Sequence, residues 1–201
     1  MERIKFIHYK RLDRIERIHN VVSSKCSSFI GGKWKTTPIN YIIDTINTDS
    51  LSSEFVIQSV FNSAEIIDSA TSSELFSNTY STGTNLPYGT NDGKNVITFA
   101  NLNDNNAIAI TYIWYSRSTK QIYDADLVFN SYYTWGDATQ NPLLMDLENI
   151  ATHELGHVVG LGDVYTSKCS EVTMYGYSGE GETKKRTLET QDISAIKKLY
   201  G

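Results

Sequence analysis

Eleven residues in the last third of the chain, His153-Glu154-Leu155-Gly156-His157-Val158-Val159-Gly160-Leu161-Gly162-Asp163, constrain its fold and chemistry more than any other stretch. On a helix, residues four apart share one face, so His153 and His157 can aim their imidazoles at one ion. Glu154 is offset by one residue, roughly 100° around the axis. Its carboxylate then sits beside such an ion as a proton acceptor rather than on it as a ligand. Gly160 falls where the helix must stop for the chain to turn back, and glycine reaches φ > 0 without a Cβ penalty. That reversal presents Asp163 as a third, oxygen ligand. Two nitrogens and one oxygen leave the fourth position of a tetrahedral Zn2+ open to water, the mark of a catalytic rather than a structural site.

A chain of 201 residues, 40% of them hydrophobic, supports one domain with a sizeable core. No run approaches the ~18 apolar residues of a membrane span, and residues 1–20 are charged throughout, without the apolar centre of a secretory signal. The net charge of −5 is unevenly placed, because residues 1–35 hold nine Lys/Arg against three acids. Such a basic arm can lie on an acidic body, or simply be a solvated amphipathic helix. The acidic body carries no nucleic-acid motif, so no nucleic-acid partner is expected.

Ile4, Ile7, Leu12, Ile15, Ile18 and Val22 predict an amphipathic helix over residues 4–22. The Ser/Gly/Lys-rich stretch 23–37 reads as a linker, with a boundary near residue 30. The expected organisation is therefore a basic arm and linker over 1–29 and a catalytic body over 30–201. The arm fits a propeptide remnant as well as a part of the mature protein. Strands are predicted over 39–43, 95–100, 107–115 and 122–130, and helices over 53–69, 143–159 and 189–199. This order makes an α+β domain with a mixed sheet.

The element order, the HExxHxxGxxD helix, the segment Val172-Thr173-Met174-Tyr175-Gly176-Tyr177 and the closing Asp192-Ile193 with Leu199-Tyr200-Gly201 together resemble the matrixin branch of the metzincin metallopeptidases over residues 33–201. The resemblance implies a twisted mixed sheet with a long backing helix, an active-site helix and a C-terminal helix. It implies a zinc endopeptidase with one catalytic Zn2+, protein or peptide substrates, and an extracellular or cell-surface location; the sequence leaves the oligomeric state open, with a monomer favoured. Met174, otherwise a core filler, becomes the Met-turn beneath the metal, and Tyr175 and Tyr177 become a wall of the substrate pocket. Residues 124–130, with Leu127 and Phe129, resemble the edge strand that pairs with substrate.

The chain also departs from that pattern. The third ligand is usually His; the charge of Asp163 makes a bound Zn2+ a weaker Lewis acid. Gly176 replaces the Pro common after Met-Tyr. A second zinc held by three histidines and an aspartate cannot be built from the body, because the chain has only His8, His19, His153 and His157. Asn91-Asp92-Gly93 and Asn103-Asp104-Asn105 leave room for Ca2+, although turn chemistry accounts for both.

Three readings are open for Cys26 and Cys169. They form a disulfide, as an even count in an exported protein favours; Cys26 is a latency switch whose thiolate takes the open zinc position; or both are free thiols. The typical switch sequence, Pro-Arg-Cys-Gly-Val-Pro-Asp, is absent around Ser24-Lys25-Cys26-Ser27. Competing functions are a peptide-binding module that does not cleave, a mononuclear iron enzyme using the same two-His-one-Asp set, and a peptidase with Glu171 as third ligand. The intact base and ligand set favours the peptidase with Asp163.

Overall fold

A computed structural model describes residues 1–11 and 26–201. In chain order its elements are β1 (Glu2–Lys10), β2 (Ser28–Phe29), β3 (Ile42–Asp44), α1 (Ser53–Asp68), β4 (Ser81–Gly83), β5 (Val96–Ala100), β6 (Ala107–Ser116), β7 (Gln121–Asn130), β8 (Trp135–Gly136), β9 (Met145–Asp146), α2 (Leu147–Val158), β10 (Leu161–Gly162), β11 (Tyr177–Ser178) and α3 (Thr190–Tyr200). Seven strands form one sheet in the order β11-β1-β6-β7-β5-β3-β4. The β1/β6 and β6/β7 pairs are antiparallel and the other pairs parallel. The architecture is α+β with a mixed sheet, as the sequence pattern implies.

Local chemistry explains the helices. Ser52 caps α1 by accepting from the Phe55 amide at 3.1 Å, and Val56, Val60, Ala64 and Ile67 form the buried stripe behind the cap. Short polar side chains join α1 to α2. Thr152 Oγ1 donates to Ser63 Oγ at 3.0 Å, and Ser63 Oγ donates to the Glu148 carbonyl at 3.1 Å. Glu189 and Asp192 close a capping box at the start of α3. Central strands lose the alternating pattern because both of their faces are covered, so β6 and β7 are buried almost throughout.

The structure corrects four expectations. The motif helix begins at Leu147, not 143, because Asp146 accepts from the Asn149 amide at 2.9 Å and caps it there. The first strand of the body pairs over Ile42–Asp44, and Ile39 makes only an isolated bridge to Phe76. Residues 4–10 are not helical. They belong to β1, which pairs with β6 from Glu2 to Tyr9; the remainder of the expected 4–22 helix lies outside the described residues. Residues 124–130 are not an edge, since β7 lies between β6 and β5 and buries Leu127 and Phe129 in the core. The strand beside the motif helix is β6, and its outer side is taken by β1.

Residues at the expected linker also join the body. β2 pairs antiparallel with β10, which directly follows the motif helix.

Candidate active site

Helix α2 is buried along nearly its whole length, because it packs against α1 on one side and reaches β6 and β7 on the other. His153 and His157 lie one turn apart, with ring centroids separated by 4.8 Å. His153 Nδ1 lies 2.7 Å from the Thr173 carbonyl and His157 Nδ1 lies 3.0 Å from the Leu161 carbonyl. A carbonyl only accepts, so each Nδ1 carries a proton, and in the neutral ring Nε2 is the nitrogen left to ligate.

The helix ends at a glycine reversal. Gly160 has φ +107°, and a Cβ there would lie 2.6 Å from the Gly32 carbonyl oxygen. The last carbonyls are satisfied from other elements: Trp34 Nε1 donates to Val158 at 2.8 Å, the Tyr200 hydroxyl to Val159 at 2.9 Å, and the Ile30 amide to Gly160 at 3.1 Å. The reversal brings Asp163 Oδ1 to 3.3 Å from His153 Nε2 and 3.4 Å from His157 Nε2. Tyr165 holds the other carboxylate oxygen, donating to Asp163 Oδ2 at 3.0 Å.

His153 Nε2, His157 Nε2 and Asp163 Oδ1 are buried atoms without a hydrogen-bond partner, and they lie within 4.8 Å of one another. Buried polar atoms normally find partners, so three such donors converging on one point fit a divalent cation. Burial lowers His153 to about 4 and keeps it neutral. Burial alone would raise Asp163, but His157 and His153 outweigh it and hold the carboxyl well below its usual range. At His157, burial is outweighed by the Asp163 charge, and the imidazole is raised.

Glu154 stands beside this set. Burial pushes its carboxyl up to about 7, against the opposing influence of His157 and Thr111. The Thr111 hydroxyl on β6 donates to Oε2 at 2.5 Å, while Oε1 has no hydrogen-bond partner. One oxygen is therefore held by a hydrogen bond and the other is left without one.

Met174 lies directly under the helix. A Cβ on Gly156 would sit 2.3 Å from Met174 Sδ, so helix and turn approach more closely than any side chain at 156 allows. Asp192 fixes this turn, accepting from the Thr173 amide at 2.9 Å and the Met174 amide at 3.4 Å. Because the Thr173 carbonyl in turn orients His153, the start of α3 is coupled to the donor set.

Tyr175 is buried, and Tyr177 begins β11, which pairs in parallel with β1. The glycine between them has a local reason: a Cβ at 176 would lie 2.4 Å from Tyr165 Cε1 and 3.1 Å from Asp163 Oδ1. Gly176 leaves the space through which Tyr165 reaches Asp163. Leu127 and Phe129 are part of the buried core.

Cys26 and Cys169 are joined in a disulfide, which leaves neither the switch reading nor the free-thiol reading a thiol to act with. Glu171 pairs with Lys184 at 3.0 Å and takes no part in the donor set. In the two Asn/Asp loops, Asp92 accepts from the Lys94 amide at 3.0 Å and Asp104 from the Asn106 amide at 2.9 Å, the bonds expected of turns.

Asp192 reads in the sequence only as part of the closing segment, without its role at the Met174 turn, and three residues around the site were missed by sequence reasoning: Thr111, Tyr165 and His8. Only His8 carried a signal, as one of four histidines in the chain. It is fully buried, stands edge-on to His153 with centroids 4.0 Å apart, and places Nδ1 at 3.6 Å from Glu154 Oε1. Burial, then the neighbouring His153, lowers it well below the usual histidine range.

Comparison with known proteins adds an independent finding. A family model described as Matrixin matches residues 33–201. Metalloendoproteinase 1 of Glycine max is 43% identical over 68 residues, covering 33% of this chain and 21% of that protein. Metalloendoproteinase 1-MMP of Arabidopsis thaliana is 47% identical over 57 residues, covering 28% and 15%. Human Matrilysin is 36% identical over 76 residues, covering 38% and 27%. The chain thus spans only 15% to 27% of the length of these curated relatives.

Proposed function

This chain belongs to the matrixin family, and on that premise we propose that it is a zinc-dependent endopeptidase in which His153, His157 and Asp163 hold the ion and Glu154 is the general base. The observation that carries the reading is the convergence of three buried donors without hydrogen-bond partners beside a carboxylate oxygen that also lacks one. When bound there, zinc would polarise the scissile carbonyl and acidify a water beside it. Glu154 Oε1 takes the proton of that water as it attacks the carbonyl, while Thr111 keeps Oε2 in place. The same carboxyl then hands the proton to the leaving amine. Its value of about 7 suits both transfers. Tyr165 steadies Asp163, and the carbonyls of Thr173 and Leu161 keep both imidazoles in the ligating tautomer.

Substrates on this reading are proteins or peptides, taken up as extended strands along β6. The Cys26–Cys169 disulfide supports an extracellular or cell-surface location, where such bonds persist. Among the described residues no helix is long and apolar enough to cross a membrane. The test is Glu154→Gln. The expected variant binds one equivalent of zinc but no longer cleaves denatured casein; full cleavage would remove Glu154 from its role, and one equivalent of iron in the purified protein would overturn the choice of metal.

A further inference from the structure

The edge strand beside the catalytic helix is already occupied, by the chain itself. β1 is inserted between β6 and β11, antiparallel to the first and parallel to the second. The pairing with β6 runs from Glu2↔Tyr115 to Tyr9↔Ala107, with an irregularity between His8 and Tyr9. The Lys10 amide then donates to Asn106 at 2.8 Å and the Arg11 amide to Ser178 at 2.8 Å. Both walls of the groove are thus satisfied by one extended segment, as an added peptide strand would satisfy them.

The inward side chains of that segment reach the donor set. Phe6 stacks on His157 with centroids 4.1 Å apart and planes at 14°. His8 follows two residues later on the same face of the strand, against His153 and Glu154. Both ring nitrogens of His8 are buried without a hydrogen-bond partner, and His8, His153 and Glu154 form a second group able to hold an ion. A strand with a purely structural role would place an apolar residue here, since an unpaired buried imidazole destabilises the fold. On the opposite face Arg3 and Lys5 are exposed, so the segment keeps a soluble face.

We propose that Glu2–Lys10 is a tethered peptide lodged in the protein's own substrate groove, with His8 as the fourth donor to the catalytic metal, and that cleavage of other proteins requires its withdrawal. The proposal rests on the peptidase reading for its consequence, but not for its geometry. A fourth protein donor closes the position that a catalytic site leaves to water, and the strand denies β6 to any other peptide. The chain rejoins the body at Cys26, which the disulfide fixes to Cys169. A withdrawn strand therefore stays attached and competes intramolecularly with substrate.

The test uses the full chain loaded with Co2+, whose visible spectrum reports its ligands, with acetohydroxamate as a small probe of the fourth position. Wild type is expected to bind the probe weakly and to cleave denatured casein slowly. His8→Ala, His8→Phe, which keeps an aromatic ring without a donor, and Phe6→Asp are each expected to bind the probe at least tenfold more tightly. His8→Ala and Phe6→Asp should also cleave at least tenfold faster. His8→Phe carries the spectral test if His8→Ala does not fold. Wild type binding the probe as tightly as the variants, or a cobalt spectrum that ignores both substitutions at His8, overturns the proposal. A His8-dependent spectrum without cleavage by any variant instead removes the peptidase reading and leaves the strand at the metal.

Discussion

The Thr111 hydroxyl on β6 donates to Oε2 of Glu154 on α2 at 2.5 Å, tying the strand at the groove to the acid at its floor. A hydrogen bond to the charged carboxylate favours ionisation, so Thr111 opposes the upward push of burial on Glu154. Thr111→Val removes the hydroxyl at nearly constant volume. Charge-assisted hydrogen bonds contribute roughly 1.5–3 kcal/mol, so the acid limb of kcat/KM should move up by about one pH unit or more. Activity should recover at more alkaline pH. A pH profile with an unmoved limb, and a uniformly lower rate, would reduce Thr111 to a packing residue.

Tyr165 acts one step further from the chemistry. Its hydroxyl holds Asp163 Oδ2, leaving Oδ1 between the two histidines. Groups that orient metal ligands typically contribute about 10–100-fold in affinity. Tyr165→Phe should weaken zinc binding within that range while leaving the far-UV circular dichroism unchanged. Competition against a chromophoric chelator measures it, and an unaltered affinity would mean that the Gly160 reversal alone positions Asp163.

Much of this arrangement is legible in the sequence, for reasons particular to each element. α1 and α3 carry local caps at Ser52 and Glu189 followed by apolar stripes of helical period, and the donors His153, His157 and Asp163 share one short segment. β1 misleads because two periods coexist in it. Ile4 and Ile7 are spaced for a helix, whereas Ile4, Phe6 and His8 are spaced for a strand. Its partner β6 lies about a hundred residues away, and that long-range pairing decides the outcome. Strand order is likewise invisible to pattern, and the edge position of 124–130 rests on resemblance alone, which the pairing of β7 with both β6 and β5 corrects. Thr111 acts through a contact 43 residues away in sequence and Asp192 through amides 18 and 19 residues away, whereas the Tyr165 bond to Asp163, only two residues off, depends on how the chain turns there.

Metal affinity should depend on pH through His157. Its folded value is raised because the Asp163 charge outweighs burial, whereas His153, at about 4, is already neutral above pH 5. Ion binding requires the unprotonated Nε2. As pH falls through the raised value, a proton on His157 competes with the ion, and affinity should drop by up to about tenfold per unit. Asp163 stays charged over this range and does not compensate. Calorimetry at pH 6 and pH 8, in buffers of different ionisation enthalpy, should show weaker binding and release of about one proton at the lower pH. Equal affinities at the two values would contradict the assignment.

Gly160 should be the least replaceable glycine of the motif loop. Its φ of +107° strains any L side chain, and the atom that a Cβ would meet, 2.6 Å away, is the Gly32 backbone oxygen, which no rotamer change can move. Strain and overpacking of this kind together cost about 3 kcal/mol. In a chain of this size that corresponds to a fall in Tm of roughly 6–12 °C. The reversal also delivers Asp163, so Gly160→Ala should lose zinc affinity along with stability. Gly179→Ala is the matched control, because nothing lies within 4 Å of a Cβ there and its φ is not positive. The control should melt within about 1–2 °C of wild type, the effect of an ordinary surface change of ~0.5 kcal/mol. If the two variants melt together, neither the contact with Gly32 nor the positive φ governs the turn, and the delivery of Asp163 must rest on the Tyr165 bond instead.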